Sequence, residues 1–351
     1  MGKNRTKAAK HRNAKAKMGS NSFGDAKPAA PKKGVSLWPL YAIFFVLIAL
    51  YIVMQGRQLS IIFGVLAAFT IIVIIAMEFM YSVKDEGLKR NLIELIIAIA
   101  IVVFIWFALR FFLNTSDPID VVPSCSMLPA LQRGDLIVLQ GSNLSNIKAP
   151  IINVTHEEFN SMESNFGSEA LVCMAYINES GGYQLSQIVH SGWNIGLFRF
   201  VNGGYYPIPG NYQNGNLVRY YCGSRSVSFG NGTAVNEAYT TGISVLGHGI
   251  YGDQNNTIIV YKTVPSDYFY RLGDAYVVHR VYAVLNVSGS YYALTKGDNN
   301  PGLDMQYANY PINQSHVEGR VIGSIPYLGY IKLMFSGEIA QPAGCNSTVQ
   351  H

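Results

Sequence analysis

The chain has 351 residues, is 49% hydrophobic and only 13% charged, and carries a formal net charge of +5. That balance argues against a plain water-soluble enzyme and suits apolar spans joined to a folded domain. Four cysteines with no CxxC and no His/Cys spacing of the metal-binding kind exclude the common zinc and thioredoxin-like motifs, so no metal and no cofactor is expected.

Residues 1–33 hold ten Lys or Arg against one acid, Asp25. Small and polar residues fill the rest, so 1–34 is expected to be a disordered, basic, cytoplasmic tail. Such a tail can bind nucleic acid, but beside apolar segments its commoner role is to hold the N-terminus in the cytoplasm. No nucleic-acid partner is expected.

Three apolar segments follow, Val35–Met54, Leu59–Met80 and Leu92–Leu113, each 20 to 22 residues long. About 20 residues span the hydrocarbon core as a helix, so 35–113 is expected to hold three transmembrane helices. The basic tail and the loop Lys84–Arg90 lie on one side, and Gln55–Gln58, with only Arg57, on the other. This is the positive-inside pattern, and it places everything after Leu113 outside the cytoplasm, in a multi-pass protein of the cell membrane. Glu94 and Arg110, near the two ends of the third segment, are expected to snorkel to the interfaces. Asn-x-Ser/Thr triplets support the same orientation. Nine follow the third segment, at Asn114, Asn143, Asn153, Asn178, Asn231, Asn255, Asn286, Asn313 and Asn346, against one, at Asn4, before it. The skew fits an exported, glycosylated domain.

From Asp117 onward, short runs rich in Val, Ile and Tyr alternate with Gly, Asn and Ser clusters, which predicts β structure. The fold class expected is therefore mixed: N-terminal transmembrane α-helices, then a mainly-β domain. Residues 141–270 stand apart, with 12 of the 23 tyrosines, five of the triplets and few charges. They are expected to form a β-rich insertion in a domain made of 114–140 and 271–351. His156, His190 and His248 within it are scattered singletons, expected to be loop or surface histidines. Cys173 and Cys222 could pair outside the cell, whereas Cys125 and Cys345 have no evident partner.

The chemistry-bearing residues flank that insertion. Ser124-Cys125-Ser126-Met127-Leu128-Pro129 follows the third apolar segment, and Arg133-Gly134-Asp135 leads into a predicted strand, Leu136–Gln140. Two further strands, Ala275–Val287 and Ser290–Thr295, are predicted around a two-residue turn at Ser288-Gly289. In that register His279 falls opposite Asp298, although a longer loop at Asn286–Ser290 would shift it. A serine hydroxyl needs a base, usually a histidine oriented by a carboxylate. The candidates are Ser126 or Ser124, then His279, and Asp298 or Asp304.

These stretches, in this order, resemble the boxes of type I signal peptidases in their archaeal and endoplasmic-reticulum branch, the serine–histidine–aspartate type. Ser124–Pro129 resembles the S-x-S-M-x-P box and Arg133–Val138 the R-G-D box. Val278-His279-Arg280-Val281 resembles the HR box, and Lys296–Asn300 the KGDNN box. Asp304 matches that branch's second aspartate, and Gly319–Gly323 resembles the closing glycine motif. The resemblance covers about a quarter of the chain; the three apolar segments and the insertion lie outside it. It implies a mainly-β signal-peptidase-like catalytic domain acting as a serine endopeptidase. Ser126 would be the nucleophile, His279 the general base and then acid, and Asp298 or Asp304 its orienting carboxylate, the hairpin register favouring Asp298. The Ser126 N–H and the Ser124 hydroxyl would stabilise the oxyanion. Met127 is read as packing or membrane contact, Arg133 and Arg280 as structural ions and Lys296 as a turn cation. Cys125 stands where the family often has glycine.

The substrates implied are signal peptides of secretory precursors, with the lipid membrane and a protein-export channel as further partners. No boxes lie in 141–270, so the insertion is expected to supply no catalytic group. Two other readings compete. One is a membrane-anchored, glycosylated surface or adhesin protein without catalysis. The other is a self-cleaving regulatory peptidase, whose mark would be a Ser–Lys pair.

Overall fold

In a computed structural model of the chain, the described residues are 36–54, 58–86, 88–163, 170–208, 218–338, 342 and 344–349. The basic tail and residues 55–57 lie outside them. The chain divides into two compact units, Met1–Asp85 and Glu86–His351.

The first unit contains α1 (Trp38–Val53) and most of α2 (Gln58–Glu86). Glu78, a carboxylate on an apolar helix, accepts a hydrogen bond from the Tyr41 hydroxyl. The second unit opens with α3 (Leu88–Leu113). Windows of α2 (Ile62–Met80) and α3 (Leu92–Leu113) are long and apolar enough to cross a membrane. The described α1, with 16 residues, is shorter than the ~20 that span the hydrocarbon core as a helix. Of the three expected spans, two therefore meet the test over the described residues. Of the expected loop at 84–90, Lys84–Glu86 belong to α2 and Leu88–Arg90 to α3, and residue 87 lies outside the described residues.

Beyond α3 the chain is mostly β. Strands β1 (Ile119–Val121), β2 (Leu136–Gln140) and β3 (Ile151–Val154) enter a main sheet before the short helix α4 (His156–Glu163). A second sheet holds β4 (Ala170–Glu179), β5 (Gly182–Ser186), β6 (Asn194–Val201) and β7 (Gly204–Pro207). A third is built from β8 (Val218–Phe229), β9 (Ala234–Val245) and β10 (His248–Tyr251). The chain then returns to the main sheet with β11 (Ile258–Lys262), followed by α5 (Tyr268–Leu272), β12 (Tyr276–Val287), β13 (Ser290–Lys296), β14 (Ile312–Asn313) and β15 (Val317–Ile325). After α6 (Tyr330–Phe335), β16 (Ser347–Val349) closes the third sheet against β8.

The main sheet runs β1-β2-β15-β11-β12-β13-β14, and β3 pairs with β12 in parallel. The expected 141–270 insertion thus gives β3 and β11 to the main sheet, and only its middle forms separate sheets. Strand composition explains the missed boundary. Ile151–Val154 and Ile258–Lys262 are ordinary apolar runs, and nothing local says which sheet they join.

The hairpin β12–β13 carries the decisive register. Ser288 (φ 50°) and Gly289 (φ 96°) both have positive φ, as a tight two-residue hairpin turn demands. From Val287↔Ser290 to Ala283↔Leu294 the pairing follows the sequence expectation. A bulge at Tyr282 then shifts the register, so Val281 faces Thr295 and Arg280 faces Lys296. One extra residue on β12 moves His279 out of line with Asp298.

The Arg133-Gly134-Asp135 turn is packed without slack. Gly134 has φ 87°, and its carbonyl accepts the Gly329 N–H at 2.8 Å. A Cβ on Gly329 would lie 1.7 Å from Val121 Cγ2 and 2.9 Å from the Gly134 carbonyl oxygen. Neither the core valine nor backbone can yield cheaply, so Gly329→Ala is predicted to cost about 3 kcal/mol. Gly230→Ala meets nothing within 4 Å and should change stability by less than about 0.5 kcal/mol. Thermal unfolding of both variants in detergent checks the contrast; equal midpoints would contradict this packing.

Candidate active site

The Ser124–Pro129 loop is fixed on both sides of Ser126. Met127 is fully buried, packed with Val122, Leu131 and Ile137, which settles it as a core residue. Cys125 is bonded to Cys345, 220 positions away in sequence, so two cysteines without an evident partner in the sequence are partners of each other. Cys173 and Cys222, whose pairing the sequence left open, form a second disulfide. The Ser126 carbonyl accepts the Asn299 N–H at 2.8 Å. The Asn299 side chain donates to the carbonyls of Cys125 (3.3 Å) and Ser347 (2.9 Å) and accepts the Val349 N–H (3.1 Å). One asparagine therefore joins the serine loop, its own loop and the C-terminal strand.

Ser126 Oγ lies 3.1 Å from His279 Nε2, and His279 Nδ1 lies 2.7 Å from Asp304 Oδ2. His279 and Asp304 are 3% and 2% exposed, while Ser126 is half-buried. Asp304 Oδ2 also accepts from the Tyr261 hydroxyl at 3.0 Å and from Thr295 Oγ1 at 2.6 Å. A carboxylate only accepts, so Nδ1 of the neutral imidazole carries the proton and Nε2 presents its lone pair to Ser126. Burial alone pushes the Asp304 carboxyl up. The neighbouring His279 and the three donors outweigh it and leave the group below its usual range. Tyr261 is pushed the other way, by burial first and then by Asp304, so it stays a neutral donor. The Ser124 hydroxyl lies 3.1 Å from that of Ser126.

Asp298, the residue that the unbulged register favoured, is not at the histidine. It takes a two-pronged ion pair from Arg280, 2.8 Å from Nε and 2.7 Å from Nη2. Successive side chains of a strand point to opposite faces, so Arg280 and His279 cannot share a partner easily. The bulge hands Asp298 to Arg280 and leaves the buried face to Asp304. Arg280 is thus the structural ion expected, and Arg133 is another, donating to the Pro123 carbonyl at 2.9 Å. Lys296 is not a simple turn cation. It lines a cavity of about 220 Å³ with Arg225, Arg280 and Asp298, where desolvation, aided by Arg225, lowers its ammonium to about 7. Its Nζ donates to the Gly297 carbonyl, and the ring that faces Ser126 Oγ is that of His279.

The 141–270 segment reaches the site. Tyr261, on β11, touches the carboxylate. Arg225, on β8, donates to the carbonyls of Asp298 (3.3 Å) and Asn299 (2.7 Å) while paired with Glu237 at 2.9 Å. Sequence reasoning missed Tyr261, Thr295, Asn299 and Arg225 in these roles. Of these, Asn299 had a signal, because it lies inside the Lys296–Asn300 stretch; a lone tyrosine in a tyrosine-rich region had none. Among the described residues no cluster of His, Cys, Asp and Glu could hold a metal.

No family model matches the chain. Over 66 residues, 18% of its length, it is 36% identical to the signal peptidase complex catalytic subunit SEC11 of Chaetomium globosum, and the match spans 38% of that protein. The chain is therefore similar to a signal peptidase subunit over a short part of both.

Asn299→Ala removes three side-chain hydrogen bonds and is predicted to cost about 2 kcal/mol. It should also speed amide exchange at Ser126, Met127 and Val349. Unchanged exchange there would show that the disulfide, the buried Met127 and the Asn299 backbone bond hold the loop without that side chain.

Proposed function

We propose that the chain is a membrane-bound serine endopeptidase of the signal-peptidase type, cutting signal peptides from secretory precursors at the outer membrane face. The observation that carries this reading is the hydrogen-bonded series Ser126–His279–Asp304, with the serine half-buried and the other two enclosed. The similarity to a signal peptidase catalytic subunit supports the substrate class. The apolar α3 ends 13 residues before Ser126, which favours a site close to the membrane surface. None of the nine triplet asparagines after α3 is buried, which is compatible with glycosylation in an exported domain.

In this scheme Ser126 Oγ gives its proton to His279 Nε2 as it attacks the scissile carbonyl. Asp304, ionised and holding Nδ1–H, stabilises the imidazolium that forms. The Ser126 N–H and the Ser124 hydroxyl donate to the developing oxyanion. His279 then protonates the leaving amine, which departs and leaves an acyl-enzyme on Ser126. Water, deprotonated by the same imidazole, releases the new carboxyl terminus. No cofactor takes part. An extended precursor with small residues at the first and third positions before the cut fits shallow pockets beside a sheet edge. A protein-export channel is the partner that would deliver such precursors.

Cleavage of a signal-bearing precursor by the purified chain in lipid tests the scheme. Ser126→Ala should abolish turnover, and His279→Ala should be nearly as severe, without additivity in the double variant. Asp304→Asn should cost roughly 10³–10⁴-fold by fixing the wrong tautomer. Ser124→Ala should cost roughly 10²-fold as an oxyanion donor. Asp298→Asn should leave kcat within roughly tenfold of the parent, because Arg280 rather than His279 holds it. Full turnover by folded Ser126→Ala, or a larger loss for Asp298→Asn than for Asp304→Asn, would sink this assignment.

A further inference from the structure

The cavity beside the Lys296–Asn300 stretch holds a charge that the reaction scheme does not use. Its walls come from the third sheet, with Arg225 on β8 and Tyr239 on β9, and from the main sheet, with Arg280 on β12 and Lys296 on β13. Its volume of about 220 Å³ is many times the ~10–15 Å³ that admits one water. Gly252, Asp253 and Gln254, which also line it, are exposed, so the cavity opens to solvent on that side. A small ligand can enter and fit.

Charge inside it is not balanced by the protein. Lys296 faces Arg280 directly across the β12–β13 pair, and like charges so opposed repel. Arg280 is compensated by the Asp298 carboxylate and Arg225 by that of Glu237. Among the described residues no carboxylate forms an ion pair with Lys296. Its one hydrogen bond, to the Gly297 carbonyl at 3.2 Å, leaves two of the ammonium's three N–H groups without an acceptor among the described residues. A half-buried ammonium in that position is costly until an acceptor meets it. Desolvation, with Arg225 beside it, accordingly lowers Lys296 to about 7, against the opposing pull of Asp298, Asp304 and Glu237. Of the other groups on the walls, Tyr282 is pushed up by burial and stays neutral, and Asp253 is occupied by the Asn255 N–H and side-chain amide.

We propose that this cavity binds one small oxyanion, of the sulfate or phosphate class, on the Lys296 ammonium, and that the bound anion steadies the Gly297–Asn299 backbone against Ser126. A cation would meet three positive side chains there. An oxyanion presents several acceptors at once, which suits the two N–H groups of Lys296 together with the Tyr239 hydroxyl and the Gln254 amide on the same walls. The link to Ser126 is short. Lys296 bonds the Gly297 carbonyl, Arg225 bonds those of Asp298 and Asn299, and the Asn299 N–H holds the Ser126 carbonyl. A Cβ on Gly297 would lie 2.7 Å from that same Ser126 oxygen, so loop and serine are packed without a gap. An anion that fixes Lys296 therefore restrains the loop, and the loop restrains Ser126. Binding requires the charged ammonium, so it is fully present below about 7 and weakens as pH rises beyond it. The binding itself does not depend on the proposed function; its effect on cleavage rests on that reading.

Titration calorimetry on the full chain in detergent tests the binding, with sulfate exchanged for chloride at constant ionic strength. Sulfate keeps its charge between pH 6 and pH 9, so any pH dependence belongs to the protein. Two charge-assisted hydrogen bonds put the dissociation constant on the order of 1 mM at pH 6. Binding should weaken roughly tenfold per pH unit above about 7 as Lys296 loses its proton. Lys296→Met should bind no sulfate, and Lys296→Arg, whose guanidinium stays charged, should bind alike at pH 6 and pH 9. No saturable heat from the parent at pH 6, or unchanged binding by folded Lys296→Met, would overturn the site. If either variant fails to fold, the parent's own profile decides, and a flat one contradicts Lys296 as the holder. Hydrogen exchange tests the second half. Saturating sulfate should slow the amides of Gly297, Asp298 and Asn299 at least roughly fivefold in the parent, and unaltered exchange would contradict the coupling to Ser126. Sulfate should also speed precursor cleavage by the parent and not by Lys296→Met. If the parent cleaves nothing, the peptidase reading fails, and calorimetry still decides the anion site.

Discussion

A carboxylate buried to 2% exposure is costly unless donors surround it, and Asp304 has three on one oxygen. Those donors come from three strands: His279 on β12, Thr295 on β13 and Tyr261 on β11. Oδ2 gains all three donors only where these strands are in register, while Oδ1 is buried without a partner, so the sheet and the site specify one another. The depressed Asp304 pKa ties this to acid stability. A folded value below the unfolded 3.8 gives stabilisation that is complete above that value and is lost as pH falls through the folded one.

Around that centre the chain is held by ties that are distant in sequence. The Cys125–Cys345 disulfide joins the residue before Ser126 to the C-terminal segment, closing a loop of 220 residues. Asn299 bonds both ends of the same junction, and Arg225 braces the loop that carries Asn299. The third sheet is consequently more than an appendage, because its strand β8 reaches the backbone two and three residues beyond Lys296. The disulfides suit an oxidising compartment.

Much of this was legible in the residues. The strand Leu136–Gln140 and the tight turn at Ser288-Gly289 emerged where local chemistry points to them. The ordered boxes named Ser126 and His279, and the structure brings these two side chains within 3.1 Å. The carboxylate was not decided, and the reason is a single residue. A bulge at Tyr282 has no reliable mark in an apolar run such as Val281–Leu285, yet it exchanges the faces of everything before it. Long-range ties such as Cys125–Cys345 and Tyr261–Asp304 were also invisible, because no local pattern encodes a partner 220 or 43 positions away. Strands β3 and β11 were placed in the insertion for the same reason.

The central claim is that His279, held by Asp304, turns Ser126 into a nucleophile toward a peptide carbonyl. Its most direct test is the covalent intermediate. The purified chain in lipid would be mixed with an ester analogue of a precursor, bearing alanine at the first and third positions before the ester, and quenched in acid within one turnover. Peptide mass mapping should then find the acyl group on the fragment containing Ser126, and the His279→Ala chain should carry none. An acyl group on any other residue, or ester cleavage with Ser126 never modified under conditions that trap intermediates, would contradict the account.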